Sequence, residues 1–207
     1  MKIFLIAEAF ILVFALLLAV VRSLPGPVFF PLRALAIAYA DFFRGVPTIL
    51  VIAVLGFGAP ALAVEGIPTS TTFWGIVSLV LIYTAYVSEV YRAGIESVHP
   101  SQEAAARSLG LTRGQALTSV VLPQAVRRVI PPLLNDFIGL QKDTALVGIL
   151  GSVEAFKQAQ IEVSADFNFT HYLVAATLFV AITIPLARFT DWLVARDRRR
   201  RQAGALV

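Results

Sequence analysis

Ser101-Gln102-Glu103-Ala104-Ala105-Ala106-Arg107-Ser108-Leu109-Gly110, running on through Leu111-Thr112-Arg113-Gly114-Gln115, is a polar passage held between two long apolar runs, 73–91 and 131–150. Its first part reads as a short helix: Ser101 supplies a hydroxyl N-cap, Glu103 puts a carboxylate in the first turn, and Gly110 stops it as the C′ residue. Thr112 and Gln115 fit the T-x-x-Q capping box and open a second helix, on which Ala116, Val120 and Val121 share a face until Pro123 interrupts it. The stretch 92–130 is 39 residues long, too many for a plain connection and too patterned for disorder, so it predicts a folded helix-turn-helix. Ala104 to Ala106 leave the first helix almost without bulk, which lets a partner's groove come close to its backbone.

The chain around this passage is built for lipid. Of its 207 residues 58% are apolar and 14% charged, and the mean hydropathy is +0.81. An average soluble domain carries about 25% charged residues, so a soluble globule and intrinsic disorder are both excluded. A helix needs about 20 apolar residues to cross a bilayer. Five runs meet that length: 3–21, 46–64, 73–91, 131–150 and 172–194. The first is too long for a signal-peptide core and has no small-residue cleavage site before Arg22. The helix of the second starts earlier, around Leu35 to Tyr39, and Pro47 lies near the start of its apolar run. Pro131 and Pro132 suit the first turn of the fourth, and Pro185 is expected to kink the fifth. The predicted fold is one all-α integral membrane domain over 1–207, with five spans and a cytoplasmic helix-turn-helix between the third and fourth.

Charge gives an orientation. With five alternating spans, all fourteen arginines fall on one side of the membrane, and Lys2, Lys142 and Lys157 on the other. The positive-inside rule then puts the N-terminus outside and the C-terminus in the cytoplasm. The tail 195–207 reads as a stop-transfer and orientation signal, with an anionic-lipid or partner site as the alternative. A net charge of +4 and a pI of 9.8 do not point to nucleic acid, because the basic residues sit at span ends without interleaved aromatics.

On Glu103-Ala104-Ala105, Gly110 and Leu122-Pro123, with Gln102 before and Gln124-Ala125 after, the sequence resembles the membrane permease subunits of ABC-type importers for polar amino acids. Further pieces in order strengthen the likeness: Arg44-Gly45-x-Pro47, Ala85-Tyr86-x-x-Glu89-x-x-Arg92, Pro131-x-x-x-Asn135, and Lys142-Asp143-Thr144-x-Leu146. It extends from about Tyr39 to the C-terminus. Ser101 replaces the Gly that usually precedes Gln102, and Ala145 stands where many relatives carry Ser. The resemblance implies a multi-pass subunit of the bacterial cytoplasmic membrane, half of a pore working by alternating access with a second copy or a sister permease. It implies a separate ATPase dimer that holds ATP and Mg and receives the loop through Glu103, Ala104, Ala105, Gly110, Leu122 and Pro123. It also implies an extracytoplasmic solute-binding protein, docking on the outer loop 151–170, and a polar amino acid or a relative such as an opine as solute.

The residues themselves hold no catalytic machinery. No phosphate loop, H-E-x-x-H or G-x-S-x-G occurs, cysteine is absent, and His99 and His171 fall on opposite sides of the membrane. Neither an enzyme nor a metal site is expected. Polar residues inside spans mark the other informative positions. Asn135, Gly139 and Lys142 recur at i, i+4 and i+7, and with Asp143 they either line the translocation path or fix packing between helices. Glu89 is a path candidate as well, although a simple i, i+3 pair with Arg92 accounts for it. For Glu103 the bland reading is dipole stabilisation of its own helix. Arg188 with Asp191 reads as an interfacial ion pair, and Arg44 as an anchor at the start of span two. An ion-coupled secondary carrier would need inverted repeats and broken helices at the midplane, and a cytoplasmic helical loop has no purpose there. A non-transporting scaffold subunit is the third class.

Overall fold

The computed structural model describes residues 2–24 and 26–204, and among these all regular structure is helical. Part of the basic tail, 205–207, lies outside the described residues. The first helix, α1 (Lys2–Arg22), coincides with the first apolar run. Its buried stripe, Phe4, Ala7, Ile11, Ala15 and Ala19, follows the three- and four-residue spacing of one helix face and is mostly alanine. That stripe packs against Leu79, Ile82, Tyr83 and Val87 of α4 (Thr71–Glu96), and the two helices form the most extensive pairing in the molecule. Burial between spans gains nothing from leaving water when the other choice is lipid. Small side chains that allow close backbone approach therefore carry the association. Leu5, Phe10, Phe14 and Leu17, on the other faces of α1, stay exposed.

The second apolar run is not one straight helix. A first piece, α2 (Phe30–Gly45), and a second, α3 (Thr48–Ala61), meet at 101°. Pro47 is the cause. It pushes the residue before it out of helical geometry, and Val46 is extended at φ −95°, ψ 133°.

After α4 come α5 (Pro100–Ser108), a single turn α6 (Arg113–Ala116), a π-helical turn Leu117–Val121, and α7 (Leu122–Asp143). Three expectations are corrected here. The N-cap of α5 is His99, whose Nδ1 accepts the Ser101 N–H at 3.2 Å, because Pro100 can occupy the first turn without an N–H and draws the start back. Pro123 does not interrupt the second helix. It sits in the first turn of α7, and the turn before it widens to π, which absorbs the missing donor. Pro131 and Pro132 do not open the fourth segment either: both lie inside α7, where the carbonyls four residues back, on Arg127 and Arg128, lose their helical partners.

A 3-10 stretch, Thr144–Leu150, continues α7, and α8 (Ala155–Asp166) fills the expected outer loop, capped by Glu154, whose carboxylate accepts the Phe156 and Lys157 N–H groups at 2.8 and 2.6 Å. The last helix, α9 (Thr170–Gly204), contains Pro185. At the α8–α9 corner Asp166 accepts from His171 and from the Asn168 N–H, and these bonds hold its carboxyl below the usual range. By length and apolarity α1, α4 and α9 qualify as membrane spans, and the bent pair α2–α3 makes a fourth; α7, with five charged residues, does not pass on composition.

Glycines set how α7 lies on α4. A Cβ on Gly94, near the end of α4, would overlap Val129 Cγ2, and one on Gly75, near its start, would overlap Val147 Cγ1. Gly139 accommodates the Tyr83 hydroxyl, 3.1 Å from where its Cβ would stand. Thr71 at the start of α4 donates to the Leu150 carbonyl at 3.1 Å. The segment 122–150 thus runs antiparallel to α4 along its whole length, with the α5 turn projecting beyond the end they share.

Candidate functional site

The turn after α5 is built as the sequence reading expects. Gly110 has φ +88°, its N–H bonds to the Arg107 carbonyl at 3.0 Å, and the Leu111 N–H reaches back to Ala106 at 3.3 Å. These two bonds make a Schellman motif, in which the left-handed position falls to the residue that has no Cβ. Across the turn, Thr112 and Gln115 form the reciprocal capping box. Ala104 and Ala105 are exposed, and Ala106 is buried under the turn. Glu103 stands in the first turn of α5 with Arg113 Nε 3.7 Å from its carboxylate. Leu122 and Pro123, at the start of α7, are exposed on the same loop, and Gln124 donates to Gln102 at 3.3 Å.

The outer side of the turn holds an open hollow of about 480 Å³ lined by Ala104, Arg107, Ser108, Gly110 and Leu111. Leu109 beside it is 83% exposed. Sequence reasoning passed over Leu109 because a leucine before a C′ glycine is ordinary; its exposure beside the hollow is what marks it. Arg128 of α7 reaches the Ser97 carbonyl, which fastens α7 to the end of α4 at the root of the loop.

The intramembrane candidates separate into two groups. Asp143 Oδ2 accepts the Tyr83 hydroxyl at 3.0 Å and Gly139 faces the same ring, so both belong to the seam between α7 and α4. Asn135 and Lys142 are exposed, on a stripe that none of the described residues covers. Glu89 is not a simple pair with Arg92. Its carboxylate takes Arg22 of α1 at 2.6 Å, Arg44 of α2 at 3.2 Å and Arg92 at 2.9 Å. Arg188 and Asp191 stand 3.8 Å apart, both well exposed.

Two carboxylates escaped the reading. They are Asp136 of α7, with a buried Oδ2 that has no partner among the described residues, and Glu8 of α1, which is partly buried. In a chain this apolar, an acid within a span is signal enough. Among the described residues no group of three His, Cys, Asp or Glu could hold a metal.

The α5 turn thus stands out from the end that α4 and α7 share. Residues 11–201 match the family described as binding-protein-dependent transport system inner membrane component. The chain belongs to this family of transport permeases. It is 37% identical over 172 residues to the probable glutamine ABC transporter permease protein GlnM of Bacillus subtilis, covering 82% of this chain and 77% of that one. To the arginine transport system permease protein ArtQ of the same organism it is 31% identical over 185 residues, covering 89% and 84%. Among solved structures, an amino acid ABC transporter crystallised with histidines superposes with a TM-score of 0.83 at 28% identity, covering 94% of this permease and 89% of that chain. The MetNI methionine transporter, at 18% identity and a TM-score of 0.72 over 94% and 91%, shares the fold. As a permease component of an ABC importer of the inner membrane, the chain is not itself an enzyme, and ATP is hydrolysed on a separate subunit.

Proposed function

We propose that this permease forms half of the translocation path for a polar amino acid, pairing with a second copy or a sister permease and working by alternating access. One observation carries the reading: the α5 turn, with its bulk-free alanines, open hollow and exposed Leu109, projects from the end shared by α4 and α7. Glu103, Ala104, Ala105 and Gly110, with Leu122 and Pro123 behind them, dock on an ATPase dimer that carries ATP and Mg. Closure of that dimer draws two such turns together and tilts α4 and α7. Five segments cross the membrane: α1, the bent pair α2–α3, α4, the α7–3-10 segment and α9. The antiparallel course of 122–150 along α4 supports counting it as a crossing despite its charges. The N-terminus lies outside, the arginine-rich tail lies in the cytoplasm, and α8 with the loop around it receives an extracytoplasmic binding protein.

Asn135 and Lys142 lie on the stripe that the chain leaves open, and they face the path or the second permease. Asp136, with its buried and unpartnered Oδ2, gives a cationic group a partner inside the bundle, so arginine and histidine are tested beside glutamine. The experiment is uptake of these three labelled solutes into proteoliposomes holding the permease, its ATPase and its binding protein. ATP-dependent uptake that disappears when Glu103 to Gly110 is replaced by a Gly/Ser stretch of equal length supports the reading. Uptake driven by an ion gradient without ATP would refute it in favour of a secondary carrier.

A further inference from the structure

Four charged residues from three helices meet at the end of α4 nearest the α5 turn. Glu89 sits seven residues, about 10 Å of helix rise, before α4 ends at Glu96. Its Oε1 holds Arg22, the last residue of α1, and Arg44, in the last turn of α2 beside the 101° bend; its Oε2 holds Arg92. Tyr86, one turn earlier on α4, donates to the Arg44 carbonyl at 3.3 Å, so α2 is held from two places. The three arginines are not equivalent. Arg44 and Arg92 have side chains 41% and 35% exposed, and either can swing its head into water, while Arg92 has Glu96 as a second partner. The Arg22 side chain is 8% exposed, and its Nε has no partner among the described residues. Among the described residues Glu89 is the one carboxylate paired with it, and a buried cation cannot stay where it is once its anion is gone.

We propose that Glu89 is a positioning residue for transport. It clamps the inner ends of α1, α2 and α4 into one unit, so that a displacement of the α5 turn moves all three helices and not α4 alone. Without the carboxylate the inner end of α1 is released first, because the buried Arg22 is left with only the Ser88 hydroxyl, at 3.5 Å, among the described residues. The turn then still moves and ATP is still hydrolysed, but α1 and the knee between α2 and α3 lag behind. The role differs from the path position considered from sequence: both oxygens of Glu89 are engaged by guanidinium groups of this chain, Oε1 by two and Oε2 by one.

The inference rests on the coupling through α5 proposed above, so the wild-type complex is measured first, and absence of ATP-dependent uptake there would sink both. In the same proteoliposomes, uptake per ATP hydrolysed is compared for wild type, Glu89→Gln, Glu89→Asp and the double variant Arg22→Gln/Glu89→Gln. The double variant removes the stranded cation together with the anion, and so assembles even where Glu89→Gln does not. We expect it to keep normal yield and Tm, to retain ATP hydrolysis, and to lose at least fivefold in uptake per ATP, with Glu89→Asp recovering most of the ratio. A double variant of normal stability and unchanged uptake per ATP would overturn the clamp. So would a raised KM for solute at an unchanged ratio, which would return Glu89 to the path.

Discussion

Gly94→Ala tests whether the two helices at the root of the α5 turn are locked to each other. The new methyl would overlap Val129 Cγ2, and would stand 3.4 Å from Val129 Cβ and 3.5 Å from the Ala125 carbonyl oxygen. Non-bonded carbons settle at about 3.5–4.0 Å. Val129 cannot rotate away cheaply, since a β-branched residue in a helix keeps essentially one rotamer, and it is itself buried at 7% exposure. The helices must therefore separate. Overpacking of this kind costs about 1–3 kcal/mol, while alanine gains up to about 1 kcal/mol over glycine in helix propensity, so the net loss is roughly 1–2 kcal/mol.

A matched control lies in α3, where a Cβ on Gly58 meets nothing within 4 Å and Gly58→Ala should be neutral or slightly stabilising. The assay is thermal unfolding of the detergent-solubilised complex. On the scaling for soluble domains of this length, the predicted loss lowers Tm by roughly 2–8 °C. Adding Val129→Ala should restore much of it, with a coupling in the double-mutant cycle of about 1–2 kcal/mol. Gly94→Ala no worse than Gly58→Ala, or a cycle with no coupling, would refute the contact and with it the argument that α4 and α7 move as one.

Gly110→Val should assemble normally yet lose most uptake, because the space around Gly110 is open and only its φ of +88° resists a side chain, at about 1–2 kcal/mol for the left-handed backbone; unchanged uptake at normal yield counts against ATPase docking there. A reporter fused after Val207 should be cytoplasmic, and Glu65→Cys in this cysteine-free chain should react with an impermeant thiol reagent from outside; the opposite pair of results means the protein is inverted. Asn135→Leu should reduce uptake with unchanged Tm if its stripe faces the path, and should lower yield and Tm if it faces the second permease; a variant normal in both would remove Asn135 from either surface.

What was legible in the sequence was local. The first apolar run became α1, the Thr112–Gln115 capping box formed, and Gly110 took the left-handed position, because each depends on residues within one turn of itself. The misses lie where distant parts of the chain decide. Pro131 and Pro132 look like a helix start in isolation, but packing along α4, with glycines at both ends of the seam, carries α7 straight through them. The bend at Pro47 was visible as a proline, not as a 101° turn, since the angle is set by what α2 and α3 pack against. Glu89 with Arg92 is the plainest case. The i, i+3 pair could be read from spacing, whereas Arg22 lies 67 residues away and no local pattern announces it.

The charges of α7 bring these observations together. A helix with Arg127, Arg128, Asp136, Lys142 and Asp143 cannot lie in lipid as an isolated span, because each charge near the bilayer centre costs about 2.5–3.5 kcal/mol even on the mildest scale. Part of that cost is met inside the chain: Asp143 takes the Tyr83 hydroxyl, and Arg128 takes the Ser97 carbonyl at the end of α4. Lys142 and Asn135 have no such partners among the described residues and remain on the open stripe. Lipid there would leave an ammonium and a carboxamide unsatisfied, and the exposed faces of α1 and α9 are apolar enough to take the lipid instead. The open side of α7 is therefore the side that needs water or a second permease against it. That need supports, on physical grounds separate from any likeness to other proteins, the proposal above that this side of α7 faces the path or a second permease.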